Sequence, residues 1–192
     1  MHRSIGAALR RCVGKLDNRD ACELSARGPL AWYLLEHARS AALSEYFVDV
    51  PPGTTRGGVR CEDAERLTYA DASFDLVTHT EVLEHVSDDA RALAELRRVL
   101  RPGGWMLFTV PLYGTTTVER ARLREGVIEH LLPPVYHGDP ARGGDPVLAF
   151  RDYGNEVVAR LRAAGFVQAW IEPADIASAP WGFTRPVVCA RR

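Results

Sequence analysis

The chain has almost no lysine, no excess of either charge and no long apolar run. Lys15 is its only lysine, and 24 basic residues face 25 acidic ones, for a formal net charge of -1. Nucleic-acid-binding proteins usually carry a basic face, so we expect no nucleic-acid partner. No apolar run approaches the roughly 20 residues that a membrane-spanning helix needs, and the N-terminus lacks the apolar core of a secretion signal. These absences predict a cytoplasmic protein without a membrane partner.

Paired cysteines are also missing. The four cysteines are scattered and form no CxxC pair: Cys12, Cys22, Cys61 and Cys189. Metal sites built from cysteine usually show such pairs, so the sequence predicts no metal site. Three of them sit beside strand-like residues, where cysteine behaves as a small buried hydrophobe. A reducing cytoplasm is the simplest setting for them.

What the chain does have is an alternation of helix-like and strand-like segments. Residues 3–16 carry apolar side chains at helical spacing. Gly28-Pro29 can open a second helix, because proline suits the first helical turn. Ser87 can cap a third helix, which Pro102-Gly103 would stop. The strand-like segments are 21–24, 41–50, 57–61, 74–78 and 105–110.

This alternation predicts an α/β fold in a single domain. We expect a Rossmann-like three-layer sandwich around a mostly parallel seven-stranded sheet, closed by a C-terminal antiparallel hairpin at 166–171 and 186–190 with a Pro/Trp/Gly turn at 180–183. Residues 111–150 break the rhythm and are rich in proline and glycine, which is typical of a functional loop. The expected parts are an N-terminal helix (1–19), a nucleotide-binding half (20–111), a lid (112–150) and the closing helix and hairpin (151–192).

Acidic residues follow two of the predicted strands. Glu45 comes after the second strand and Asp63 after the third. In sheets of this kind ligands bind beyond the carboxyl ends of the strands. A bound adenosine needs an acceptor for its ribose hydroxyls and a polar partner for its amino group, and these carboxylates can supply both. The alternatives are that Glu45 is a solvated charge and that Asp63 caps a short turn.

Four segments in succession resemble the class I S-adenosylmethionine-dependent methyltransferases of the small-molecule, type 11-like group. The segments are Asp63–Leu67, Phe74-Asp75, Val82–Val86 and Arg98–Gly104. The resemblance covers roughly residues 20–111 and rests on their order and spacing, since each motif alone is weak. It implies S-adenosylmethionine as the cofactor and methyl transfer to a small-molecule acceptor.

The resemblance also implies roles for individual residues. Glu45 would hold the ribose, and Asp63 with Ala64 would frame the adenine. His79 and Thr80, at the end of the fourth strand, would lie near the methionine part of the cofactor, together with the following Glu81.

The first motif departs from the family pattern. That pattern is an acidic residue followed by Gly-x-Gly-x-Gly, whose glycines let the backbone approach the cofactor. Here Glu23 fits the acidic position, but the three glycine positions fall on Ser25, Arg27 and Pro29, and Gly28 stands one place out of register. The Arg27 side chain could fill the cofactor space or pair with the cofactor carboxylate. The resemblance places Glu23, Ser25, Arg27 and Gly28 at the cofactor.

Most candidate catalytic residues lie in the predicted lid. Methyl transfer from a sulfonium depends mainly on positioning, although a hydroxyl or amine acceptor would gain from a base. His137 with Tyr136 is the first choice, and His85 and His130 follow. The structural alternatives are that His137 is a turn residue and that His85 packs behind a strand-end loop.

Two other functions remain open. The altered glycine loop is also compatible with a methyltransferase-fold protein that has lost turnover and serves as a binding or interaction module. A nicotinamide-dependent oxidoreductase is weakly supported, because no Gly-x-Gly-x-x-Gly follows a strand. The acceptor and the oligomeric state stay open, and a homodimer is compatible with the sequence.

Overall fold

A computed structural model describes residues 2–139, 144–174 and 185–192 of the chain. The first half contains α1 (His2–Cys12), β1 (Asp20–Glu23), α2 (Pro29–His37), β2 (Ser40–Glu45), β3 (Thr55–Arg56), β4 (Val59–Cys61), β5 (Phe74–Thr80), a 3-10 turn (Leu83–His85), α3 (Asp89–Val99) and β6 (Leu100–Thr109). The second half contains β7 (Val118–Glu119), β8 (Ala121–Arg124), β9 (Val127–His130), β10 (Tyr136–Asp139), β11 (Asp145–Leu148), β12 (Arg151–Asp152), α4 (Val157–Ala163), β13 (Gln168–Glu172) and β14 (Val187–Arg191). The predicted turn at 180–183 lies outside the described residues.

The central sheet has eight strands in the order β13-β14-β6-β5-β1-β2-β4-β3. The five strands from β6 to β4 run parallel, and β13 and β14 form the expected antiparallel hairpin, which pairs with β6. The predicted Rossmann-like fold is therefore confirmed. The eighth strand arises because Gly57 and Gly58 both have positive φ, 57° and 81°. They form a two-residue turn that joins β3 to β4, where the sequence suggested one strand.

Helices cover both faces of the sheet and give the predicted three layers. Buried side chains on one face lie against α1 and α2, and those on the other lie against α3 and α4. Along β5 the side chains alternate between the two cores, with Leu76 in the first and Val77 in the second. Burying one such side chain stabilises the fold by about 1.5–3 kcal/mol.

The third helix begins one residue later than expected. Asp88 is its cap and accepts a hydrogen bond from the Arg91 N–H at 3.0 Å. The predicted cap at Ser87 was wrong because Ser87 is engaged elsewhere. Its N–H and Oγ donate to the Glu65 carboxylate at 2.6 and 2.8 Å. The helix ends at Val99 and the chain enters β6 directly, so the strand itself runs through Pro102.

Residues 112–152, here called the insertion, are not irregular as expected. They form three antiparallel pairs of short strands, β7–β12, β8–β9 and β10–β11. Glu125 and Gly126 have positive φ and make the turn between β8 and β9. The apolar side chains Leu123, Val127 and Ile128 of this hairpin are exposed, so the sequence carries no buried period that would reveal the strands.

The cysteines behave as the sequence indicated. Cys22, Cys61 and Cys189 are buried, and all four are free thiols. Burial raises the pKa of the Cys12 thiol. In the part of the chain that the structure describes, no helix combines the length and the apolar character needed to cross a membrane.

Candidate functional site

The predicted acidic residues lie at one edge of the sheet, because they end or directly follow neighbouring parallel strands. In the strand register Glu23 of β1 is level with Leu43 of β2 and with Thr78 of β5. Glu45 ends β2 and is level with Cys61 of β4. Asp63 follows two residues later, so it leaves the sheet at the same edge as Glu45. This is the edge at which open α/β sheets bind their ligands.

Glu23 braces the turn after β1. Its carboxyl group is buried, with 1% of the residue exposed, and both oxygens have partners. The Ser25 N–H donates to Oε1 at 3.1 Å, and the Thr78 hydroxyl donates to Oε2. Burial raises the pKa of Glu23 to about 8, against the lowering effect of these hydrogen bonds. The group therefore acts as a buried brace that fixes the loop leading to the second helix.

The altered glycine loop leaves the edge open. Ser25 is half-buried and its hydroxyl donates to the Thr80 carbonyl at 3.4 Å, which ties the ends of β1 and β5 together. Arg27 is exposed, so its side chain is not a buried plug. Gly28 has φ 92° and ψ 177° immediately before α2, a conformation that side-chain-bearing residues rarely adopt. Gly28 thus supplies the backbone freedom one position later than the family pattern does.

Glu45 and Asp63 are both half-buried, on adjacent chain segments. The Glu62 N–H donates to the Glu45 carbonyl at 2.9 Å, which holds the segment before Asp63 against β2. Asp63 Oδ1 accepts from the Glu65 N–H at 2.9 Å, so Asp63 does cap a short turn. Ala64 is buried in the core beneath that turn. The turn role of Asp63 is compatible with a second role toward a ligand, since its carboxylate is only partly enclosed.

The side chains of His79 and Thr80, at the end of β5, lie in different environments. Thr80 stays at the strand end, as expected. The His79 ring is fully buried and stacks on Phe108, with ring centroids 4.5 Å apart. Burial lowers the pKa of His79 to about 3, so its ring is neutral. The structure therefore does not bring the His79 side chain to the edge with the other predicted cofactor residues, because it is a core residue.

The chain turns sharply after β5. Glu81 has φ 53°, a left-handed conformation that is uncommon outside glycine. Its N–H donates to the Thr109 carbonyl at 2.9 Å, and its Oε2 lies 3.3 Å from Arg185 Nε. The strained residue redirects the chain into the 3-10 turn, where Glu84 and His85 lie. Strain of this kind is often held at functional sites.

Three side chains that the sequence did not connect meet beyond this turn. Glu84 Oε1 lies 3.9 Å from His85 Nε2 and 3.9 Å from His137 Nδ1. Glu84 is 1% exposed, and neither of its carboxylate oxygens has a hydrogen-bond partner among the described residues. Burial, with the nearby Glu81 charge, raises the pKa of Glu84 to about 8. The sequence indicated His85 and His137 as separate candidates, and the structure makes them neighbours of one buried carboxyl group.

The other two candidate catalytic residues lie differently. Tyr136 is on β10 beside His137 and is 54% exposed. His130 is exposed on β9. The insertion therefore brings His137 to the 3-10 turn and leaves His130 on an outward-facing hairpin.

Comparisons with known proteins agree with the observed fold. A family model described as a methyltransferase domain matches residues 31–108. The ubiquinone/menaquinone biosynthesis C-methyltransferase of Psychromonas ingrahamii is 46% identical over 54 residues, which are 27% of this chain and 22% of that protein. The first curated relatives are matched over only about a fifth of their own length.

Two solved structures extend the likeness to nearly the whole chain. An S-adenosylmethionine-dependent methyltransferase from Mesorhizobium loti has a TM-score of 0.59 at 20% identity, covering 97% of this chain and 96% of that one. The 1,6-didemethyltoxoflavin-N1-methyltransferase of Burkholderia thailandensis, solved with 1,6-didemethyltoxoflavin and S-adenosylhomocysteine, has a TM-score of 0.56 at 22% identity, covering 100% and 77%. These likenesses confirm the resemblance to class I methyltransferases in fold and in the matched segment.

Proposed function

We propose that this chain is an S-adenosylmethionine-dependent methyltransferase that acts on a small-molecule acceptor. The observation that carries the proposal is the position of Glu45 and Asp63 at the carboxyl edge, at the end of β2 and just after β4, two strands that the register places side by side. Glu45 would accept hydrogen bonds from the ribose hydroxyls. Asp63 would face the adenine amino group, above the apolar floor that Ala64 provides.

The first motif supports cofactor binding despite its missing glycines. Glu23 fixes the loop, Ser25 is small, and Gly28 supplies the left-handed backbone before α2. Arg27 is exposed at this loop, where its guanidinium could meet the cofactor carboxylate from the solvent side. Thr80, at the end of β5, would border the methionine part of the cofactor.

The insertion supplies the acceptor side of the site. Its last residues dock on the 3-10 turn, where the Phe150 N–H donates to the Glu84 carbonyl at 2.7 Å. This contact holds β10, with His137 and Tyr136, next to the strand end at which the methyl group would be presented. His137 would accept the proton of a hydroxyl or amine acceptor, and Tyr136 would contact the acceptor from the exposed side. We place this reaction in the cytoplasm, with no nucleic acid or membrane as partner.

Cofactor binding can be tested directly by calorimetric titration with S-adenosylhomocysteine. We expect one site per chain, with affinity reduced about tenfold or more in Asp63→Ala, because one charged hydrogen bond is worth about 1.5–3 kcal/mol. Asp71→Ala is the matched control, since Asp71 is an exposed acidic residue paired with Arg98. No heat at millimolar ligand would contradict the proposal and favour the alternative of an inactive binding module.

A further inference from the structure

The three side chains around Glu84 have the composition and spacing of a metal site. The ligand atoms of Glu84, His85 and His137 all lie within 4.8 Å of one another. Two nitrogen or oxygen ligands of one ion, bound at about 2.1 Å, lie about 3–3.5 Å apart. Small side-chain rotations would therefore bring these three atoms onto one cation.

The buried Glu84 carboxyl group is the strongest evidence for a bound cation at this position. A buried carboxyl group without hydrogen bonds is costly, and nearly all buried polar groups in proteins have partners. Both Glu84 oxygens lack one in the described structure, and they face two imidazole rings. A cation bound directly to these oxygens would offset the burial of this group, because Arg151 and Arg185 act on it only from a distance and donate no hydrogen bond to it.

His85 is oriented as metal-binding histidines are. Its Nδ1 lies 2.8 Å from the Leu148 carbonyl oxygen. Because a carbonyl only accepts, Nδ1 carries the proton and Nε2 keeps its lone pair on the side of Glu84. A histidine that ligates a metal through one nitrogen usually donates the other N–H to a carbonyl or carboxylate. The His137 ring stands nearly perpendicular to the His85 ring, with centroids 5.0 Å apart and 86° between the planes.

The backbone around the site is held firmly. Arg151 is almost completely buried and donates to three carbonyls of the turn, at 3.0 Å to Leu83, 2.8 Å to Val86 and 3.0 Å to Ser87. Two ligands thus come from a rigid turn of the central fold, and the third comes from the insertion. Such a site is preorganised on one side, and His137, which is partly exposed, leaves it accessible from solvent.

We propose that Glu84, His85 and His137 bind one divalent transition-metal cation of the Zn²⁺, Mn²⁺ or Co²⁺ type, with positions left open for the acceptor. Two imidazoles and one carboxylate suit these ions better than Mg²⁺ or Ca²⁺, which prefer oxygen ligands. The role toward the acceptor rests on the proposed methyl transfer. Metal binding itself does not depend on it.

The site assigns the acceptor a chemical class, namely an oxygen nucleophile that binds the metal. A hydroxyl bound to the cation loses its proton more readily, and the proton passes to solvent. The oxygen lone pair then forms the bond to the methyl carbon. The sulfur–methyl bond breaks, its electron pair returns to sulfur, and the cofactor leaves as a neutral thioether. In this arrangement His137 serves as a ligand, and the metal takes over the activation of the acceptor that a base would provide.

Metal binding is tested with Co²⁺ as an optical probe. We expect chelator-treated, tag-free protein to bind one equivalent of Co²⁺ with visible absorption bands, and Zn²⁺ to displace it. Glu84→Gln and His137→Asn should each weaken Co²⁺ binding at least tenfold. His37→Asn is the matched control, because His37 is an exposed histidine beside Glu36 and should leave the titration unchanged.

The outcomes separate this proposal from the proposed function. The metal site is overturned if the original protein shows no Co²⁺ absorption bands, or if the bands are equally strong in Glu84→Gln and His137→Asn. This holds even if S-adenosylhomocysteine binds. Bands that require Glu84 and His137 support it even if S-adenosylhomocysteine does not bind. Circular dichroism of each variant establishes that lost binding reflects a lost ligand rather than a lost fold.

Discussion

Glu23, at the end of β1, and Glu84, in the 3-10 turn after β5, are two equally buried carboxyl groups that differ in their partners. Burial raises the pKa of each to about 8. Glu23 has a hydrogen-bond donor on each oxygen, whereas Glu84 has none among the described residues. The comparison teaches that burial alone does not define a role. The satisfied acid braces its loop, and the unsatisfied one lies beside two imidazole rings, where we propose that it binds a cation.

The largest change in stability is expected at Glu23, whose carboxyl group has hydrogen-bond partners. Glu23→Ala would leave the Ser25 N–H and the Thr78 hydroxyl without their acceptor inside the fold. We expect the free energy of unfolding to fall by about 2–4 kcal/mol, since each unsatisfied buried group costs about 1–3 kcal/mol. Urea denaturation measures this loss. A change below about 0.5 kcal/mol would mean that Glu23 does not brace the loop.

The matched change at Glu84 should have the opposite sign. Glu84→Met keeps a side chain of similar length and removes a buried polar group without hydrogen bonds. In metal-free protein we expect a gain of about 1–2 kcal/mol in the free energy of unfolding, because the desolvation penalty of the carboxyl group disappears. The same urea titration measures it. A loss of stability would show that Glu84 has a structural partner, and the contrast with Glu23 would fail.

The pH dependence of stability provides a smaller and more selective test. The pKa of Glu23 is raised by folding from 4.5 to about 8, so between these values the folded state holds a proton that the unfolded state has released. Stability should therefore fall as pH rises through this window, by up to about 1.4 kcal/mol per pH unit for one group. Glu84 has a similarly raised pKa and contributes in the same window, so Glu23→Gln should reduce this slope without abolishing it. An identical slope in the variant, from urea midpoints at pH 5 to 8, would contradict the raised pKa.

Much of the fold could be predicted because local patterns are sufficient for it. Alternating buried strands and helices imply a parallel sheet, and the ends of parallel strands share an edge, which placed Glu23, Glu45 and Asp63 together. The strands of the insertion were not predicted, because two-stranded ribbons with exposed faces have no hydrophobic periodicity in their sequence. The burial of His79 was not predicted for a related reason, since a strand buried on both faces does not reveal which side chains reach its end.

The cluster of Glu84, His85 and His137 could not be predicted from the sequence. Glu84 and His85 are adjacent, but His137 comes from β10, far along the chain. Their meeting depends on how the insertion folds back, and no local pattern encodes that return. Only the three-dimensional arrangement shows that two histidines, each plausible as a catalytic residue alone, share one carboxylate.

The hydrogen bonds from Arg151 to the backbone of the 3-10 turn allow much of the insertion to be exchanged. The contacts of Arg151 there are with carbonyl oxygens, which every amino acid offers. Arg151 also pairs with Glu119, and Ala121 and Ala149 are buried, so segments of different length and sequence could be grafted between residues 122 and 147 while this attachment is kept. In the proposed methyltransferase, acceptor preference could diversify in this way, during evolution or by design, without disturbing the half that would bind the cofactor.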